Sequence, residues 1–185
     1  MIGKKNIVFG FLYLVLTASL GPYMVVKMLP DVGKAELVKQ THVGAVQQMA
    51  ENEFESADTM EPMKAIDIAK KNTKGILALS ALEGERKLFN GMKGGPHAHG
   101  NLEAVLNILA GLALCFLAAP RMIKQVISWL FIGGAIFHSG MLYLLAFEFG
   151  FAGKLLLIGP WMVLLALLLM GLASFKWLKP EVVRD

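Results

Sequence analysis

At 185 residues, 56% of them hydrophobic and with a mean hydropathy of +0.58, the chain is more apolar than a soluble domain, for which about 45–50% is usual. The net charge of +4 is the balance of 18 basic and 14 acidic residues, and the basic ones are spread along the sequence, many at the edges of apolar runs; this suits membrane borders and excludes a concentrated nucleic-acid face. Cys115 is the only cysteine and lies inside an apolar run, so an intrachain disulfide, a CxxCH-linked c-type haem and cysteine-held zinc or iron–sulfur centres are excluded.

The first apolar span runs over residues 7–28, interrupted only by Gly21–Pro22 and Lys27 and preceded by Lys4 and Lys5. Its start also has the layout of a secretory signal, with small residues at Thr17–Ala18–Ser19. The expectation is an uncleaved signal-anchor helix over residues 1–29, bent near Pro22, where a backbone donor is missing.

Residues 30–98 form a polar insert. Leu37, Val38, Val43, Val46 and Met49 recur at helical spacing, and Glu51, Glu53, Glu55, Asp58 and Glu61 follow as an acidic cluster. Pro62 suits the first turn of a second helix, which would run to Phe89, with a split near Asn72–Gly75 and a stop at Asn90–Gly91. Strand signals are absent. The remainder, residues 99–185, divides into three apolar spans at 101–119, 126–147 and 155–175, each long enough to cross a hydrocarbon layer about 30 Å thick. The expected fold is therefore all-α and integral to the membrane: four transmembrane helices in an up-down bundle, with a helical extramembrane insert between helices 1 and 2.

In that arrangement Lys4, Lys5, Arg121, Lys124, Lys176, Lys179 and Arg184 fall on one side, and the other short loop carries only Glu148 and Lys154. Basic residues favour the cytoplasm. Both termini are expected there and residues 30–98 in the periplasm, for a multi-pass protein of a bacterial inner membrane.

The chemistry-bearing stretch is residues 94–112, GGPHAHGNLEAVLNILAGL. An acid entering an apolar helix is costly and calls for a partner or a role. His99, Glu103 and Asn107 are four apart and share a helix face. Gly100, Ala110, Gly111 and Leu114 lie near that face and suit close contact with another helix. His138, on the antiparallel third span, falls at a similar depth, and Gly133, Gly134 and Gly140 beside it permit close backbone approach. Helices 2 and 3 are thus expected to meet through Glu103, Asn107 and His138, with His97 and His99 at the mouth.

Several uses of such a site stay open. The polar groups can simply hold helices together. His99 and His138 could ligate a haem b, with Asn107 beside it. His97, His99, Glu103 and His138 could ligate copper or zinc. A Glu–His pair in a low dielectric could also serve proton or quinone chemistry. No P-loop, Rossmann fingerprint or nucleophile elbow occurs, so no nucleotide cofactor is expected.

Residues 126–175 carry Gly133–Gly134, Ser139–Gly140 before Leu142–Tyr143, Gly159–Pro160 and Gly171. In this the segment resembles the last two helices of a family of small, uncharacterised four-helix bacterial inner-membrane proteins that carry a domain of unknown function. His97–Ala98–His99 is similar to an aromatic–histidine element that begins the family's middle helix. The resemblance implies the four-helix architecture and no assigned activity.

Size, four simple helices and an outward polar insert together favour a non-catalytic membrane subunit of a larger complex, respiratory or another metal-containing oxidoreductase. Its partners would be the lipid bilayer and other membrane subunits, and no nucleic acid. The alternatives are a haem- or copper/zinc-binding redox protein, and a small proton or ion transporter.

Overall fold

The computed structural model of the chain describes residues 1–56 and 59–183. Asp58 of the acidic cluster and Arg184 of the orientation pattern lie outside the described residues. Helices dominate the described residues: α1 (Ile2–Ala18), α2 (Leu20–Tyr23), α3 (Leu29–Glu51), α4 (Ala65–Met92), α5 (Ala98–Phe116), α6 (Arg121–Ala135), α7 (Met141–Ala146), α8 (Ala152–Leu155) and α9 (Ile158–Trp177). Among the described residues, four helical runs are long and apolar enough to cross a membrane: Ile2–Glu51, Ala65–Cys115, Arg121–Ala146 and Ala152–Trp177.

The chain divides into two compact units, Met1–Pro22 with Gly91–Asp185, and Tyr23–Asn90. The larger unit is built on an unusually close pair of helices. Along α1, Gly3, Asn6, Gly10, Tyr13 and Thr17 recur at alternating spacings of three and four and so share one face. That face meets Gly100, Ala104, Ile108 and Gly111 of α5. A Cβ on Gly10 would lie 2.7 Å from the Ala104 carbonyl oxygen, and one on Gly111 would lie 2.6 Å from the Gly3 carbonyl oxygen. Only glycine lets two helix backbones approach this closely. The expected small-residue contact of α5 is thus made chiefly with the first helix. Gly133 and Gly134 face Met162 and Val163 of α9, so the glycines beside His138 serve the last helix rather than α5.

The apolar core of this unit joins Ile2, Ala110, Leu114, Leu117, Ile127, Phe131, Ala166 and Ala173. At the same end the chain after α9 returns across the end of α5. The Lys179 N–H donates to the Phe116 carbonyl and the Val183 N–H to the Cys115 carbonyl, which supplies donors to carbonyls left over at a helix C-terminus. The outer faces are apolar: Leu12, Val15, Trp161, Leu168 and Phe175 are all exposed, a pattern compatible with contact to a lipid bilayer.

Among the described residues, three π-helical turns interrupt the α-helices, at Met24–Met28, Lys93–His97 and Ile136–Gly140. The second corrects the expected helix stop at Asn90–Gly91. The chain stays helical through Gly91, Gly94 and Gly95 to Phe116. Pro96 lacks an N–H and its ring crowds the carbonyl four residues back; the wider π turn relieves that conflict. Met92 and Pro96 are buried, and Gly95 abuts the Leu142 side chain, so packing outweighs the low helix propensity of glycine.

In the smaller unit, α3 and α4 are each one continuous helix. No split occurs near Asn72–Gly75, and α4 starts at Ala65 rather than at Pro62. Pro62 instead bridges to Glu55 across the connection, where Glu53, Phe54 and Met60 take positive φ values. Arg86 of α4 pairs with Glu36 of α3 at 2.8 Å. The Lys39 hydrogen bond to Glu36, aided by Arg86, holds the Glu36 carboxyl below the usual carboxylate range. The two helices expose Leu37, Val38, Ile66, Ile76, Leu77, Leu79 and Leu88.

Candidate functional site: a paired polar column

Glu103 is 4% exposed and accepts from two consecutive residues. The His138 Nδ1 lies 2.5 Å from Glu103 Oε1. The Ser139 hydroxyl donates to Oε2, and the Ser139 N–H approaches the same oxygen at 3.3 Å. Neighbouring residues on a regular α-helix point well apart. His138 and Ser139 belong to the π turn at Ile136–Gly140, and turns of this kind are frequent at functional sites. Gly159 packs directly on the backbone of Phe137 and His138 and braces the turn from the other side.

Donors and acceptors can be assigned along the chain of contacts. The Ser139 hydroxyl donates to Glu103, and when Glu103 is a carboxylate, which offers only acceptors, the proton on His138 sits on Nδ1. Tyr13 of α1 completes the line: its hydroxyl lies 2.8 Å from Ser139 Oγ, where either hydroxyl can donate, and also donates to the Ala135 carbonyl at 3.3 Å. The His138 Nε2 is then left with its lone pair when the ring is neutral.

One turn along, Asn6, Asn107 and Ser128 close a second cluster. Asn6 Nδ2 donates to Asn107 Oδ1 and to the Ser128 carbonyl, each at 3.1 Å. The Ser128 hydroxyl donates to Asn6 Oδ1. Asn107 Nδ2 donates to the carbonyls of Glu103 at 3.0 Å and Phe131 at 3.1 Å. In the other direction, the Thr17 hydroxyl reaches Asn101 Oδ1 at 2.8 Å. The His97 Nδ1 lies 3.0 Å from the Thr17 carbonyl, which has no proton to give, so the ring donates. Among the described residues no buried side-chain nitrogen or oxygen lacks a partner. In an apolar interior this matters, because each unmade bond costs about 1–3 kcal/mol.

The expected site residues therefore separate. Glu103 and His138 meet. Asn107 lies one turn from Glu103 and spends its polar atoms on Asn6, Glu103 and Phe131 rather than on His138. His99 packs its ring on that of His138, with centroids 4.7 Å apart. His97 turns to α1. Among the described residues, no group of three or more His, Cys, Asp or Glu side chains is arranged to hold a metal ion, so His97, His99, Glu103 and His138 do not converge as one ligand set. Asn6, Tyr13, Thr17, Asn101, Ser128 and Ser139 are members that sequence reasoning did not single out. For the first three the signal was present in the alternating three-and-four spacing of the polar and glycine positions of α1.

Comparison with family models, with curated proteins and with solved structures yields no match.

Proposed function

We propose that the chain is a non-catalytic integral membrane subunit of a larger complex, respiratory or another metal-containing oxidoreductase. Its four apolar runs cross a bacterial inner membrane as an up-down unit, with both termini cytoplasmic and residues 30–98 periplasmic. Two contacts support this topology: Lys5 to Gln125 and Leu117 to Leu178 bring the start of α1, the start of α6 and the ends of α5 and α9 to one end. That end carries Lys5, Arg121, Lys176 and Lys179, as the positive-inside rule requires of a cytoplasmic side.

The observation that carries the subunit reading is the outward apolar surface of α3 and α4. Outside the membrane, Leu37, Ile76 and Leu77, exposed by 65%, 66% and 63%, have no lipid to cover them, and large apolar side chains left in water favour a protein partner. The paired column fits the same role, since full satisfaction gives one fixed helix arrangement. Extraction from native membranes in mild detergent tests it. Co-migration with other membrane subunits is expected; a free monomer throughout would contradict it.

A second reading, a haem- or copper/zinc-binding redox protein, is favoured by one feature. His138 and His97 each hold Nδ1 on an acceptor, Glu103 and the Thr17 carbonyl, which orients Nε2 as in ligating histidines. Haem absorbance or stoichiometric metal in the purified chain would favour it over the first reading. A colourless, metal-free, folded protein excludes it.

A further inference from the structure

Two apolar grooves lie side by side on the surface formed by α6 and α9. The first, of about 420 Å³, is lined by Met122, Val126, Leu169, Leu172 and Trp177 and ends at Lys176. The second, of about 310 Å³, is lined by Met122, Gln125, Val126, Trp129, Leu130 and Met162. Both fall in the size range of small-molecule sites, roughly 300–1,000 Å³. They share Met122 and Val126, successive turns of one α6 face, so the two grooves meet there.

Each groove is bordered by a lysine held by an aromatic ring. The Lys176 Nζ lies 4.8 Å from the Trp177 ring centre. The Lys5 Nζ lies 4.0 Å from the Trp129 ring centre and 2.7 Å from Gln125 Oε1. Apolar channels take acyl chains, two adjoining channels take the two chains of one glycerolipid, and ammonium groups beside tryptophan at a membrane edge select an anionic headgroup.

We infer that this surface is a binding site for a diacyl anionic phospholipid, with its chains in the two grooves and its phosphate on Lys176, beside Lys5. A zwitterionic lipid would fill the same grooves but gain less from the two cations. The inference rests on the bilayer placement proposed above.

The test uses the full chain, reconstituted in bilayers of equal phosphatidylglycerol and phosphatidylcholine and released for native mass spectrometry. Retention of phosphatidylglycerol over phosphatidylcholine is expected. Lys176→Gln should lower that preference about fivefold, the effect of roughly one interfacial cation. Lys154→Gln, which removes an exposed lysine away from both grooves, should leave it unchanged. Val126→Trp, which fills the junction, should reduce retention of both lipids while the helical circular dichroism stays that of the wild type. Equal retention of the two headgroups, equal effects of the two lysine variants, or undiminished retention in Val126→Trp would each overturn the site. Failure of the wild-type chain to incorporate into bilayers would refute the membrane placement itself, and the site with it.

Discussion

Glycine serves close helix contact at the centre of the larger unit and leaves open space along much of the smaller one. In the larger unit Gly3, Gly10, Gly100 and Gly111 stand where α1 and α5 touch backbone to backbone, and any side chain there meets an obstacle. In the smaller unit Gly33, Gly44 and Gly84 face open space. Polar groups divide in the same way. Inside the larger unit they are buried and paired across helices; in the smaller unit they make exposed ion pairs such as Lys34 with Asp31, which are worth little. One unit spends its sequence on a fixed interior, the other on a surface.

The largest expected effect lies in that interior. Glu103→Ala leaves the His138 Nδ1 without its acceptor and removes the Ser139 contacts to the carboxylate, and should destabilise the chain by about 3 kcal/mol in detergent unfolding. A loss below about 1 kcal/mol would mean that the column does not hold the helices. Next comes Gly111→Leu, which must displace Gly3 and Ile7 and should cost about 2 kcal/mol by overpacking. Asn6→Ala removes the link from α1 to Asn107 and Ser128 and should cost about 1–2 kcal/mol by the same measurement.

Gly44→Ala and Gly84→Ala should act in the other direction, stabilising by about 0.4–1 kcal/mol because a helix interior gains from the replacement and nothing obstructs the methyl group. If they destabilise like Gly111→Leu, the contrast between the units is wrong. The smallest effect belongs to Arg86→Gln, expected within about 0.5 kcal/mol. Its pH signature has a definite sign. The Glu36 carboxyl lies below its ordinary value of 4.5 in the folded chain, so the pairing contributes fully above that value and is lost as pH falls through the lower folded one. A titration of the Glu36 carboxyl by NMR checks this: Arg86→Gln should move it back toward 4.5.

Much of this was legible in the sequence, unevenly. Four apolar runs announce the helices, because length and hydropathy act over twenty residues and survive local exceptions. The contact of Glu103 with His138 follows from depth and antiparallel direction. The stripe of α1 was hidden by the uniform apolarity around it, although Gly3, Asn6, Gly10, Tyr13 and Thr17 keep regular spacing. The π turns were not legible. Asn90–Gly91 read as a stop, and the burial of Met92 and Pro96 explains why the helix goes on. Presentation of both His138 and Ser139 to one carboxylate also depends on such a turn, which no periodicity of three or four encodes.

The most direct measurement compares the native mass of complexes extracted from membranes carrying the wild-type chain or the Ile76→Ser/Leu77→Ser variant. Both side chains are exposed, so the isolated variant should unfold like the wild type, within about 0.5 kcal/mol. The wild type should run with partner subunits and the variant as the 20.2 kDa chain alone. A wild type that already runs alone, or a variant that keeps every partner, would contradict the division into a paired interior and a partner surface.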